Sequence, residues 1–104
     1  MHVISKRPFV EASAKYTTCA SALTDVYLTL AKASFSTPAE MRRVFPSLDN
    51  FKHKHRWWVL DVGGNKLRVI MYIQFQAQRI YIKHILSHAE YDKLCKRFSQ
   101  GELS

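Results

Sequence analysis

Arg68, His88 and Tyr91 are the side chains of this 104-residue sequence best suited to work on a phosphate ester. Ser87-His88-Ala89-Glu90 has the form of a capping box, which sets His88 at the first position of a helix. The positive end of that helix and the neighbouring Lys and Arg oppose protonation, so the expected imidazole is neutral and able to take up a proton. Tyr91 follows one helical turn later, and its phenol can reach the same region. Arg68 stands on an alternating apolar stretch, pointing away from its main apolar row, where a guanidinium can grip phosphate as a bidentate fork. Each residue also has a plainer reading: His88 as part of a cap, Tyr91 as packing, Arg68 as half of a cross-strand ion pair. The ion-pair reading has few partners to draw on, because Asp61 and Glu90 are the only acids between Phe51 and Tyr91.

Charge gathers in the same half of the chain. Lys52-His53-Lys54-His55-Arg56 precedes an apolar segment, and Phe51 to Tyr91 holds seven Lys and Arg, hence +5 of the total +8. Concentration of this kind, with a pI near 9.8, points to nucleic acid, the ribosome or an acidic protein partner. A solvated basic edge is the alternative for the run taken alone.

The elements that must position these residues follow from periodicity. Val3 and Ile4 suit a short strand, and Pro8 suits the first turn of a helix ending near Tyr16. Thr18 offers an N-cap to a second helix, with Cys19, Leu23, Val26, Tyr27 and Leu30 on one stripe, running to about Ala33. Thr37-Pro38-Ala39-Glu40 is a capping box opening a short helix with Met41, Val44 and Phe45, stopped by Pro46. Ser47 to Arg56 is expected to be an accessible loop. Trp57 to Val62, Lys66 to Phe75 and Arg79 to Leu86 then alternate as strands, and their short connections predict an antiparallel meander. Of Lys83 and His84, alternation allows only one to share a face with Arg68. The closing helix carries Tyr91, Leu94, Cys95 and Phe98 on one stripe.

These patterns predict one α+β domain over residues 1–104, an antiparallel sheet meander packed against N-terminal helices with a short C-terminal helix. Cys19 and Cys95 fall on apolar stripes and are expected as buried thiols. No cationic leader and no long apolar run is present, so the expectation is a cytoplasmic protein with no membrane attachment. P-loop, dinucleotide and serine-elbow motifs are missing. His53-x-His55 and the His84/His88 spacing find no Cys, Asp or Glu to complete a ligand set, so neither a metal site nor a cofactor is expected. Trp57 and Trp58 point to opposite faces of a strand; one could stack on a base, and at least one is expected in the core.

The motifs together resemble a known family. Val44-Phe-Pro-Ser-Leu-Asp-Asn-Phe51, Val59-Leu-Asp-Val-Gly-Gly-Asn-Lys-Leu-Arg-Val-Ile70 and Ile82-Lys-His-Ile-Leu-Ser-His-Ala-Glu-Tyr-Asp-Lys93 are similar to the HigB-type toxins of bacterial toxin–antitoxin modules, within the RelE-like group. The resemblance implies a RelE-like α+β fold and an endoribonuclease, an mRNA interferase that cuts mRNA in the ribosomal A site. It implies as partners mRNA, the ribosome and a HigA-like helix-turn-helix antitoxin. By position, Arg68 matches the sheet arginine facing the scissile phosphate, and His88 and Tyr91 match the His and Tyr of the closing motif. Lys52, Lys54 and Lys83 correspond to RNA-holding basic residues, and Arg56 and Lys66 extend that basic set. The expected chemistry needs no metal, since RNA supplies its 2′-hydroxyl as nucleophile. A noncatalytic RNA- or ribosome-binding inhibitor using the same basic surface is the competing expectation.

Overall fold

A computed structural model describes residues 1–101 of the chain. Strand β1 (His2–Ile4) leads into helix α1 (Arg7–Lys15), a 3-10 turn at Thr17–Cys19, α2 (Ala20–Lys32) and α3 (Pro38–Val44). Strands β2 (Asp49–Asn50), β3 (Trp57–Val62), β4 (Leu67–Gln74) and β5 (Arg79–Ser87) follow, and α4 (His88–Ser99) closes the described chain. Pro8 lies in the first turn of α1, where its missing N–H costs no bond. Thr37 caps α3, its hydroxyl accepting from the Glu40 N–H at 3.2 Å. The Glu40 carboxylate meets the Ser36 N–H instead of completing the box on Thr37. Thr18 does not cap α2: it lies inside the 3-10 turn, and Cys19 takes the cap position without a side-chain bond. The tighter turn satisfies the Cys19 N–H on the Tyr16 carbonyl at 2.9 Å, leaving no role for a hydroxyl cap. On α3, Met41 is fully buried, whereas Val44 is half exposed.

The sheet has strand order β1-β5-β4-β3-β2. Its centre, β3-β4-β5, is the expected antiparallel meander. Two features depart from an all-antiparallel sheet and an all-loop segment. β1 pairs parallel to β5, and Asp49–Asn50 within the expected loop pairs with β3. The β1–β5 pairing joins opposite ends of the chain, and Asp and Asn are poor strand formers, so local pattern carries no trace of either pairing.

Alternation sorts the side chains into two layers. Leu67, Val69, Met71, Ile73 and Ile80 face α1, α2 and α3 and join Phe9, Leu23, Leu30 and Met41 in the main core. On the other face, Val59 and Ile70 pack under α4 with Leu94 and Phe51, rimmed by Trp57, Leu86, Tyr91, Cys95 and Phe98. Cys19 is buried in the first core, Cys95 half-buried in the second, and neither forms a disulfide. The β3–β4 turn uses three left-handed residues, Gly63, Gly64 and Asn65. Gly63 is further confined, because a Cβ there would meet the Cys19 Sγ at 3.1 Å.

One irregularity re-aims the basic face. Ile70 pairs with His84 and Met71 with Ile82, so Lys83 is an extra residue bulged out of β5. The bulge lets both Lys83 and His84 reach Trp57, at 5.6 Å and 6.4 Å from its ring, overturning the expectation that only one could share that face. No helix among the described residues is long and apolar enough to cross a membrane.

Candidate active site

Arg68 and His88 meet. Leu67 is registered with Ser87, so β4 begins where β5 ends, and the first residue of α4 falls beside the second of β4. The complete capping box at Ser87 and Glu90 fixes that start, with 3.0 and 3.2 Å bonds in the two directions. Glu90 is also tied to Tyr16 at the end of α1 and to Lys15 at 3.2 Å. The Tyr16 hydrogen bond, followed by the Ser87 backbone, lowers the Glu90 carboxyl to about 2.

The Arg68 Nη2 lies 3.2 Å from His88 Nδ1. A guanidinium offers no acceptor, so a hydrogen bond here requires Nδ1 to accept, with a ring proton on Nε2. That Nε2 faces the Asp92 carboxylate at 3.4 Å. Arg68 Nη1 is held by Asp61 at 2.8 Å and by Asn65 at 3.2 Å. Its guanidinium also lies over the Tyr91 ring, 5.6 Å from the centroid. Burial first, and the neighbouring Cys95 thiol second, push the Tyr91 phenol up to about 12. At neutral pH Tyr91 is therefore a proton donor and not a base.

Arg68 thus has the cross-strand carboxylate that the scarcity of acids argued against. Asp61 is its registered partner across the Gly63-Gly64-Asn65 turn, a pairing legible from the two residues' even placement about that turn. Asp92 escapes a search confined to phosphate chemistry, although i, i+4 spacing from His88 announces it. The Arg68 side chain is 13% exposed, whereas that of His88 is 59% exposed. A reacting group can approach from the imidazole side.

The other expected residues divide. Lys66 is exposed in the turn leading to Arg68. Lys52, Lys54, Arg56 and Lys83 lie toward the opposite end of the face, where Lys54 and Lys83 stand 5.8 and 5.6 Å from the Trp57 ring. Along β4 this end is marked by Tyr72, four residues or about 13 Å from Arg68, with buried Ile70 between. His53 stacks on Phe98 at 6.0 Å. Burial, with the Lys83 charge adding to it, keeps His84 below its ordinary pKa. No group of three His, Cys, Asp or Glu side chains that could hold a metal ion occurs among the described residues.

Residues 19–94 match the model of the HigB toxin family, described as the RelE-like toxic component of a toxin–antitoxin system. The mRNA interferase HigB of Escherichia coli O6:H1 is 53% identical over 102 residues, covering 98% of this chain and 99% of that protein. The mRNA interferase toxin HigB of Escherichia coli K12 and the mRNA interferase HigB of Shigella flexneri are each 40% identical over 92 residues, 88% of both chains. With a family match over residues 19–94 and relatives that align almost end to end, this chain belongs to the HigB toxin family.

Proposed function

We propose that the protein is an endoribonuclease that cuts messenger RNA, in the ribosomal A site, and thereby arrests translation and growth. The observation that carries the reading is the 3.2 Å contact between Arg68 and His88, with Tyr91 against the same guanidinium. The reaction needs removal of a 2′-hydroxyl proton, support for a dianionic phosphorane and protonation of the leaving 5′-oxygen. Arg68 takes the phosphorane charge. A phosphate drawing the guanidinium toward itself releases His88 Nδ1, which then accepts the 2′-hydroxyl proton while Asp92 steadies the imidazolium. Tyr91, holding its proton, donates to the phosphate or the leaving oxygen. The RNA's own nucleophile makes a metal unnecessary to this scheme. A HigA-like helix-turn-helix antitoxin is the partner that neutralises the toxin, in keeping with family membership.

The test is end-mapping of a translated message exposed to wild-type protein and to a His88→Ala/Arg68→Ala double variant. Cuts with 2′,3′-cyclic phosphate ends from wild type, absent with the variant, are expected. Growth arrest retained by the folded double variant would instead establish a noncatalytic inhibitor.

A further inference from the structure

A row of aromatic rings crosses the sheet at the end remote from Arg68. Trp57 is registered with Tyr72 on β4, and Tyr72 with Tyr81 on β5, so the three share the α4 face. Tyr72 and Tyr81 ring centroids are 5.9 Å apart, and all three side chains are half-buried. Cations border the row: Lys54 and Lys83 at Trp57, and Arg56 against the Tyr72 hydroxyl, which also meets Gln74. Arg56 holds a left-handed backbone at φ 65°, a conformation costly for a residue with a side chain and common where function requires it. Beside Tyr72, at the end of the sheet, opens a cleft of about 510 Å³, lined by Arg56, Tyr72 and Gln74 from this face and by Asn50, Trp58 and Phe75 from the other. That size suits a nucleotide, and the Gln74 amide, on the face of Tyr72, offers a donor and an acceptor.

We infer that this row and cleft form a second subsite for unpaired RNA, in which a base stacks on Tyr72 and its edge is read by Gln74. Lys54, Arg56 and Lys83 hold the adjoining phosphates. The inference rests on the reading that RNA is the substrate. A flat aromatic flanked by cations on an open sheet face is the recurrent solution for single strands, since stacking tolerates any base while amides discriminate among them. Because Ile70 and the α4 layer separate this end from His88, the subsite acts on strand placement and base preference and leaves the chemical step to the other end.

The test uses binding and not cleavage. Mixed-sequence RNA hexamers carrying 2′-O-methyl groups, which lack the nucleophile, are titrated into the full chain with readout of backbone amide shifts and affinity. Shifts at Tyr72 and Gln74 are expected. Tyr72→Ala should weaken binding about tenfold, while Tyr72→Phe, which keeps the ring, should stay within about twofold of wild type. Gln74→Ala, at the end of β4, should flatten the ranking among hexamers. Equal losses for Tyr72→Phe and Tyr72→Ala, shifts confined to the Arg68 and His88 region, or an unchanged ranking in Gln74→Ala would overturn the inference. Failure of wild-type protein to cut message is a separate result, which strikes the nuclease reading while these binding data stand.

Discussion

At the scale of residues, the site is a chain of four charged or polar groups, Asp61, Arg68, His88 and Asp92, each within 3.4 Å of the next. Ends and middle do different work. Arg68→Ala is expected to lower single-turnover cleavage about 10²–10³-fold and RNA affinity far less, and His88→Ala to cost about 10²–10⁴-fold. Comparable losses in rate and affinity would reassign either residue to binding. Asp92 touches His88 and in the proposed scheme acts through it, so Asp92→Asn should reduce kcat roughly tenfold with KM little changed, and Asp92→Glu should restore part of it. Tyr91 is a different case. With its phenol raised to about 12, it stays protonated where an ordinary tyrosine, near 10, would begin to ionise. The rate ratio of wild type to Tyr91→Phe should therefore be constant from about pH 6 to about pH 10. A ratio that collapses toward one by the upper limit would show that the phenol ionises there.

At the scale of elements, the start of α4 decides where His88 points. The capping box and the tie from Glu90 to Tyr16 join α4 to α1 across the β5 edge. Ser87→Ala should cost about 1 kcal/mol, read by denaturant unfolding, and lower activity by loosening that first turn. Glu90 also gives the fold an acid limit. Its carboxyl lies at about 2 in the folded chain against an ordinary 4.5, so its contribution is complete above about 4.5 and is lost as pH falls toward 2. Tyr16→Phe removes the main cause of the depression, and the folded-state pKa of Glu90 should rise. The urea midpoint of this variant should then fall less between pH 5 and pH 2.5 than that of wild type, from a lower starting value. The β3–β4 turn offers a second contrast. Gly63→Ala meets both a left-handed backbone and the Cys19 sulfur, whereas Gly64→Ala meets the backbone strain alone, so the first should be the more destabilising.

At the scale of the molecule, charge and chemistry are separated. The +8 chain carries its conspicuous basic cluster at one end of a sheet face and its Arg68–His88 contact at the other. In the proposed reading, an RNA strand crosses that face and engages both. Affinity for single-stranded RNA should fall with salt, and neutralising Lys54 or Lys83 to Gln should reduce the slope of log affinity on log salt by about 0.7 for each phosphate left without its cation. An unchanged slope would show that neither lysine faces RNA.

The sequence by itself determined the elements: the helices apart from the start of α2, the central meander, the Thr37 cap, the Ser87 capping box and the sidedness of β4 all follow from local periodicity and cap chemistry. It also placed His88 and Tyr91 one turn apart, because three residues on a helix always lie so. What only the tertiary structure decided were the contacts between elements. Parallel pairing of β1 with β5 and the capture of Asp49–Asn50 by β3 depend on which edges lie open after collapse. The Lys83 bulge turns two neighbours onto one face against simple alternation. The division of the basic residues from Arg68 arises in the same way, since α4 folds back across the sheet and its apolar stripe needs the ground between them.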